Sequence, residues 1–287
     1  MIHTMTSRNI SLSSTVRLND GVTMPIFGLG MNKLNSGKTH QVDRVVELAL
    51  SIGYRLLDNA EYYENETDVG RAIRSSGINR RELFVVTKLW ENGYDRCKQI
   101  FSRALRQLDL EYVDLYLIHN PSSTPGKCVE TYRAMLELQQ EGLVRSVGVS
   151  NFGIQHLEGL KEEGLPTPSV NQIQLHPWQQ NKDIVDYCKQ NKITVMGYAP
   201  LTKGTKLSDK TLQDIATRHN KSPAQILIRW SLEHGFITIP KSSDPTRIKE
   251  NADVFSWTLN HRDLQTLNEM PEWSCTPFNP TITPWSG

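Results

Sequence analysis

Cysteine is scarce and scattered: Cys97, Cys128, Cys188 and Cys275 are the only four in 287 residues, and none forms a C-x-x-C pair. That leaves neither a zinc ribbon nor a dithiol motif nor a disulfide framework to read, and predicts reduced thiols in a reducing compartment. No stretch approaches the roughly 18 consecutive apolar residues that a membrane span needs. Neither sign of charge dominates. Thirty-two Lys and Arg oppose thirty-one Asp and Glu, a formal +1, so no global basic field attracts nucleic acid or anionic lipid. The first eight residues, MIHTMTSR, lack an apolar core followed by a cleavage site, and a cytoplasmic location is the expectation. Two more absences bear on fold. No Pro, Gly or Ser-rich linker lies near the middle, and no G-x-G-x-x-G follows the first parallel strand, because Gly28-Leu29-Gly30 runs into Met31-Asn32. The length suits either two ordinary domains or one large barrel; these absences count against the first.

What is present is a regular alternation. A leading segment, 9–24, reads as a β-hairpin around Asn19-Asp20-Gly21. Short apolar or β-branched runs follow at 26–30 (IFGLG), 54–59 (YRLLDN), 83–88 (LFVVTK), 113–119 (VDLYLIH), 145–149 (RSVGV), 169–173 (SVNQI), 193–198 (ITVMGY) and 236–240 (FITIP). Helical spacing lies between them: Val42, Val45, Val46, Ala49 and Leu50 follow i, i+3, i+4, i+7, i+8. Ser222-Pro223 reads as an N-cap with Pro at the first helical position, and Gly235 as the residue past the helix end; Asp244-Pro245 repeats the start signal. Eight strands alternating with helices predict an α/β fold, one (β/α)8 TIM barrel over 25–270, with the hairpin before it and a tail, 271–287, after it. All 287 residues are expected to make one domain.

The chemistry of such a barrel belongs at the C-terminal ends of its strands. There the runs end in Asp58 and Asn59, Lys88, His119, Ser150 and Asn151, Gln172, Tyr198, and Lys241 and Ser242. Any one alone reads as a wetted loop edge, and His119 alone as a satisfied core histidine. Polar groups at the ends of seven runs on one rim describe a site above a packed core. Lys88 and Asp58, on adjacent strands, can pair, and a cation so placed lowers the pKa of a nearby phenol, for which Tyr62 and Tyr63 are available. Asp58, His119 and His176 match no metal-ligand spacing. Glu61, Glu64 and Glu66 share one short loop, whereas paired hydrolytic carboxyls stand roughly 5–10 Å apart across a cleft.

The string Asp58-Asn59-Ala60-Glu61-Tyr62-Tyr63-Glu64-Asn65-Glu66 resembles the D-x-A-x-x-Y-x-N-E signature of the aldo-keto reductases. The resemblance continues over 18–270 through TKLW, DLYLIHNP, GVSNF, NQIQLHP, GYAPL and IPKSSDPTRIKEN, in order. It implies NADPH-dependent reduction of aldehydes or ketones, with Tyr63 as general acid, Lys88 and Asp58 supporting it, His119 orienting the carbonyl, and no metal. It further implies Ser150, Asn151 and Gln172 on the nicotinamide carboxamide and Tyr198 stacked on the ring, with Pro200 and Leu201 beside it. Lys241, Ser242 and Arg247 would hold the adenosine 2′-phosphate, favouring NADPH over NADH, and Glu250 and Asn251 would lie at the adenine. A small carbonyl compound is the expected partner and a monomer the expected state. A non-catalytic NADPH-binding barrel of the same ancestry is the alternative; retention of Asp58, Tyr63, Lys88 and His119 counts against it.

Departures from the family pattern concern the substrate. Asn32 and Asn120 stand where many relatives carry Trp, Trp90 is kept, and Asn59 replaces the usual Thr. A roomier, less apolar pocket suited to polar or bulky carbonyls is the expectation. The tail carries Trp273, Phe278 and Trp285, and sequence leaves open whether it covers the pocket or packs on the barrel side.

Overall fold

In the computed structural model, which describes residues 10–34, 41–275 and 279–286, all eight apolar runs are parallel strands of one sheet. The leader 1–8, residue 9 of the hairpin segment and Phe278 lie outside the described residues. The strands are β3 (Gly28–Gly30), β4 (Leu56–Asp58), β5 (Phe84–Leu89), β6 (Val113–Ile118), β7 (Val144–Ser150), β8 (Val170–Gln174), β9 (Thr194–Tyr198) and β10 (Ile237–Thr238), neighbours in chain order. A parallel bridge between Phe27 and Thr238, with the Thr238 amide donating to Ile26 O at 3.0 Å, brings last strand to first and closes the barrel. Glycine is required at that seam, since a Cβ on Gly30 would stand 2.9 Å from the Ile239 carbonyl oxygen. The last strand is shorter than its apolar run because Pro240 has no amide to continue the ladder.

Two hydrophobic layers follow from alternation along the strands. Leu56, Phe84, Val86, Leu115, Leu117, Val170, Met196 and Ile237 fill the barrel interior. The hairpin, β1 (Thr15–Arg17) and β2 (Thr23–Pro25), adds Leu18 and Met24 to that interior cluster. Asn19 Nδ2 donates to Pro168 O at 2.9 Å, tying the hairpin to the loop before β8, at the N-terminal end of the barrel. The other faces of the strands meet the helices α1 (Gln41–Ile52), α2 (Glu66–Ser75), α3 (Tyr94–Leu108), α4 (Lys127–Gln140), α5 (Ile154–Glu162), α6 (Lys182–Gln190), α7 (Lys210–His219), α8 (Pro223–Glu233) and α9 (Pro245–Ala252). The helix α10 (His261–Asn268) follows them.

The start signals act as sequence predicts. Ser222 Oγ accepts from the Gln225 amide while Gln225 Oε1 accepts from the Ser222 amide, and Gly235 takes the left-handed conformation past α8, at φ +74°. Among the described residues no helix is long and apolar enough to cross a membrane. The tail answers its question in two parts. Trp273 stays at the rim, its amide donating to Trp178 O at 2.7 Å. Residues 279–286 lie on the barrel side, where Trp285 covers Gly159 of α5 and His156 Nε2 meets Thr283 O at 2.6 Å.

Candidate active site

The C-terminal rim gathers the strand-end residues into one network. Lys88 Nζ, completely buried on β5, has three hydrogens and three acceptors: Asp58 Oδ2 at 2.8 Å, Asn59 O at 2.8 Å and Tyr63 Oη at 3.2 Å. Asp58 ends β4, and its second oxygen accepts from Gln172 Nε2 on β8 at 2.7 Å, so both carboxylate oxygens are engaged across the barrel. Tyr63 reaches the ammonium from a single 3₁₀ turn, Glu61–Tyr63, whose closing bond runs from the Tyr63 amide to Ala60 O. Because the Tyr63 oxygen accepts from Lys88, its own hydrogen is directed away from the pair.

Electrostatics correct one expectation. Sequence predicts that the ammonium draws the phenol down; instead burial, then the Asp58 carboxylate, push Tyr63 well above the usual tyrosine range. Lys88 is lowered by burial, against which Asp58 acts to keep it charged. Desolvation wins over one ion pair here because the phenolate, once formed, has lost its water and faces Asp58. Tyr63 is therefore a fully protonated acid at neutral pH.

His119 follows β6, and its ring stands edge-on to Tyr63 at 5.9 Å between centroids. Burial first and the Lys88 charge second push its pKa down to about 3, so the imidazole is neutral, and Nδ1 is buried without a hydrogen-bond partner. His176, two residues past β8, is likewise held down to about 4 by burial and Lys206. An imidazole kept neutral by folding links stability to pH. The unfolded chain takes up protons below about 6.5 where the folded chain does not, so the contribution is complete above that pH and is lost as pH falls toward 4 and 3. Urea unfolding between about pH 7 and about pH 5 should show stability falling on acidification, by up to about 1.4 kcal/mol per unit for each histidine. His176→Asn should flatten the slope; an unchanged slope would contradict the assignment.

A second network sits beside the first. Ser150 Oγ donates to Gln172 O at 2.9 Å, and Asn151, left-handed at φ +61°, donates to His119 O and to Asn120 Oδ1. Tyr198, ending β9, donates its hydroxyl to Asn151 Oδ1 at 2.9 Å. Pro200, buried, and Leu201, half-buried, follow it. Asn120 thus turns its amide oxygen toward Asn151, while Asn32 is exposed on the turn after β3.

Beyond β10 lies the basic segment. Lys241, exposed on the segment after β10, is lowered by partial burial of its ammonium and then by the nearby Lys33 ammonium. Lys33, Lys241 and Arg247 make no ion pair among the described residues, and Ser242 is buried beside them in sequence. The helix start forms as sequence predicts: Asp244 Oδ1 accepts from the amides of Thr246 and Arg247, which leaves the side chains of the segment rather than those two amides free for an anion. Glu250 is half-buried and Asn251 buried on α9.

Sequence reasoning missed three residues. Lys33 carries a detectable signal, a cation three residues past the Gly30 strand end. Glu61 accepts from the Trp90 amide at 3.1 Å and from Arg103 Nη2 at 2.6 Å. Tyr62, considered only as a phenol, stacks on Trp90.

The aldo/keto reductase family model matches residues 27–272. The chain is 42% identical to a glyoxal reductase of Bacillus subtilis over 262 residues, 91% of this chain and 94% of that one. It is 39% identical to a methylglyoxal reductase of Escherichia coli over 261 residues, 90% of this chain and 94% of that one. A crystal structure of a Bombyx mori aldo-keto reductase in complex with NADP superposes with a TM-score of 0.83 at 32% identity, covering 91% and 93% of the two chains.

Proposed function

The chain belongs to the aldo/keto reductase family, an NADP(H)-dependent class of oxidoreductases, and from that premise we propose that it reduces aldehydes or ketones to alcohols with Tyr63 as the proton donor. The observation that carries the reading is the exhausted ammonium: Lys88 uses its three hydrogens on Asp58, Asn59 and Tyr63, which leaves the Tyr63 hydrogen aimed outward. When bound, NADPH supplies the hydride. The residues present fit it: Lys33 and Lys241 stand close together, Ser242 and Arg247 follow on the same segment, and among the described residues the three cations make no ion pair, the donor set that a phosphate needs. Ser150, Asn151, Gln172 and Tyr198 would hold the nicotinamide end, and Pro200, Leu201, Glu250 and Asn251 the remainder.

Reduction places negative charge on the carbonyl oxygen, and the chain's task is to meet it. Tyr63 donates a hydrogen bond to that oxygen and then its proton. Lys88 stabilises the phenolate left behind, and Asp58 and Gln172 fix the lysine. His119, neutral, donates a second hydrogen bond and sets the carbonyl's direction. The names of the glyoxal and methylglyoxal reductases support short dicarbonyls among the accepted substrates.

The test follows loss of NADPH absorbance on adding methylglyoxal, with the alcohol product assayed. Stoichiometric consumption supports the reading; NADPH binding without turnover of any carbonyl returns the non-catalytic alternative. In the same assay Lys241→Ala should raise KM for NADPH about tenfold, the worth of one charge-assisted hydrogen bond, and leave KM for NADH within about twofold. Equal effects on both cofactors would remove Lys241 from the 2′-phosphate site.

A further inference from the structure

The proton donor sits on a turn too short to hold its own direction. Tyr63 closes a 3₁₀ turn of three residues, Glu61–Tyr63, whose N-cap is Ala60, with no side chain to cap it. Such a turn makes few backbone bonds, so its neighbours must fix where it points. Asn65 does so on one side: buried, it donates from Nδ2 to the Met31 and Leu34 carbonyl oxygens. On the other side lies β5, which carries Lys88.

The turn meets the end of β5 residue by residue. Glu61 Oε2 accepts from the Trp90 amide at 3.1 Å, the Tyr62 ring stacks on the Trp90 ring with centroids 4.3 Å apart, and Tyr63 Oη accepts from Lys88 Nζ at 3.2 Å. Glu61 stands two residues before Tyr63 and Trp90 two residues after Lys88, so the bond from amide to carboxylate braces the same gap that the proton donor spans. The second carboxylate oxygen is held from α3 by Arg103 Nη2 at 2.6 Å, which fixes the group between two donors. Little slack remains. Of the Lys88 hydrogen bonds the one to Tyr63 is the longest, against 2.8 Å for the other two, and lengthening it by about 0.5 Å takes it out of hydrogen-bond range.

We propose that Glu61 is a positioning residue for proton donation: bonded to the Trp90 amide and to Arg103, it sets how far the Tyr63 hydroxyl stands from the Lys88 ammonium. The inference rests on the reading of Tyr63 as proton donor and deepens it. Placement rather than charge carries the effect, since burial and Asp58, not Glu61, govern the proton affinity of Tyr63. Misplacing a reacting group by about 1 Å costs on the order of 10²-fold in rate. The stacking of Tyr62 on Trp90 does not involve the carboxylate, so turn and strand stay in contact when Glu61 is replaced.

The experiment measures the single-turnover rate of methylglyoxal reduction with NADPH already bound, for Glu61→Ala, Glu61→Gln and Arg103→Met, each in the wild type and in a Tyr63→Phe background. Glu61→Ala should slow the wild-type rate about 10- to 100-fold and leave the Kd for NADPH within about twofold. Glu61→Gln, whose amide oxygen still accepts from Trp90, should stay within about threefold of wild type. Arg103→Met, which loosens the carboxylate and spares its bond to Trp90, should lose about two- to fivefold and carries the comparison should Glu61→Ala fail to fold. In Tyr63→Phe the same substitutions should each cost less than about twofold, because no hydroxyl remains to be placed. A loss of the same size in both backgrounds, as general damage to the rim would give, overturns the inference. So does a Glu61→Gln rate as low as that of Glu61→Ala. A slow Tyr63→Phe beside an unaffected Glu61→Ala overturns the positioning alone, whereas a Tyr63→Phe rate near that of wild type overturns the proton-donor reading and the inference with it.

Discussion

Tyr63→Phe should lower kcat by about 10² to 10⁴-fold, the range for losing a positioned general acid, while NADPH affinity stays near the wild-type value. The substitution removes one oxygen. Lys88 keeps Asp58 Oδ2 and the Asn59 carbonyl as acceptors, and the 3₁₀ turn keeps its backbone bond to Ala60, so the site retains its shape. What is lost is the proton that meets the developing alkoxide. Because burial and Asp58 hold the phenol well above the usual tyrosine range, wild-type reduction should show no loss of activity from Tyr63 ionisation through neutral and mildly alkaline pH. Rapid-mixing turnover with NADPH already bound, alongside a fluorescence titration of the cofactor, separates the two effects. Turnover within about threefold of wild type would remove Tyr63 from its role.

Lys88→Met should have the second large effect, and on two properties at once. The ion pair it breaks is fully buried, and removing one partner of such a pair costs about 3–5 kcal/mol because the other charge is left uncompensated. Asp58 keeps the Gln172 hydrogen bond, which limits the loss without supplying a charge. Activity should fall about as far as in Tyr63→Phe, since the phenolate formed by proton donation loses its cation. The double variant Lys88→Met/Asp58→Asn should recover part of the stability and none of the activity. That separation between urea midpoint and kcat is the expected result; recovery of both would make the pair a structural feature only.

The strands were legible because a barrel buries them on both faces, so each is an apolar run whatever the loops do. Their polar ends were legible for the same reason, since a polar residue closing such a run has only the rim to occupy. The roles of Glu61 and Tyr62 were not. In sequence Glu61 is one acid among several in a loop, and its partners Trp90 and Arg103 lie 29 and 42 residues away, contacts that no local pattern encodes. Asn120 reads as a pocket wall because relatives carry Trp at that place; that its amide oxygen also accepts from Asn151, placed by β7, is a contact no local pattern encodes. The Asp244-Pro245 helix start was read correctly as a start, yet the capping carboxylate that marks it takes the amides that an anion would otherwise use. For Tyr63 proximity to Lys88 was legible but the sign of its pKa shift was not, because the outcome turns on how completely the phenol is enclosed.

The central claim is that this rim moves a hydride to a carbonyl carbon and a proton from Tyr63 to its oxygen. The most direct measurement is reduction of methylglyoxal with NADPH carrying deuterium at the transferring nicotinamide carbon, with the product read by NMR. The account predicts one deuterium on the new carbinol carbon for each NADPH consumed, and a solvent-derived hydrogen on its oxygen. Solvent hydrogen on that carbon, or NADPH loss without alcohol, would contradict it.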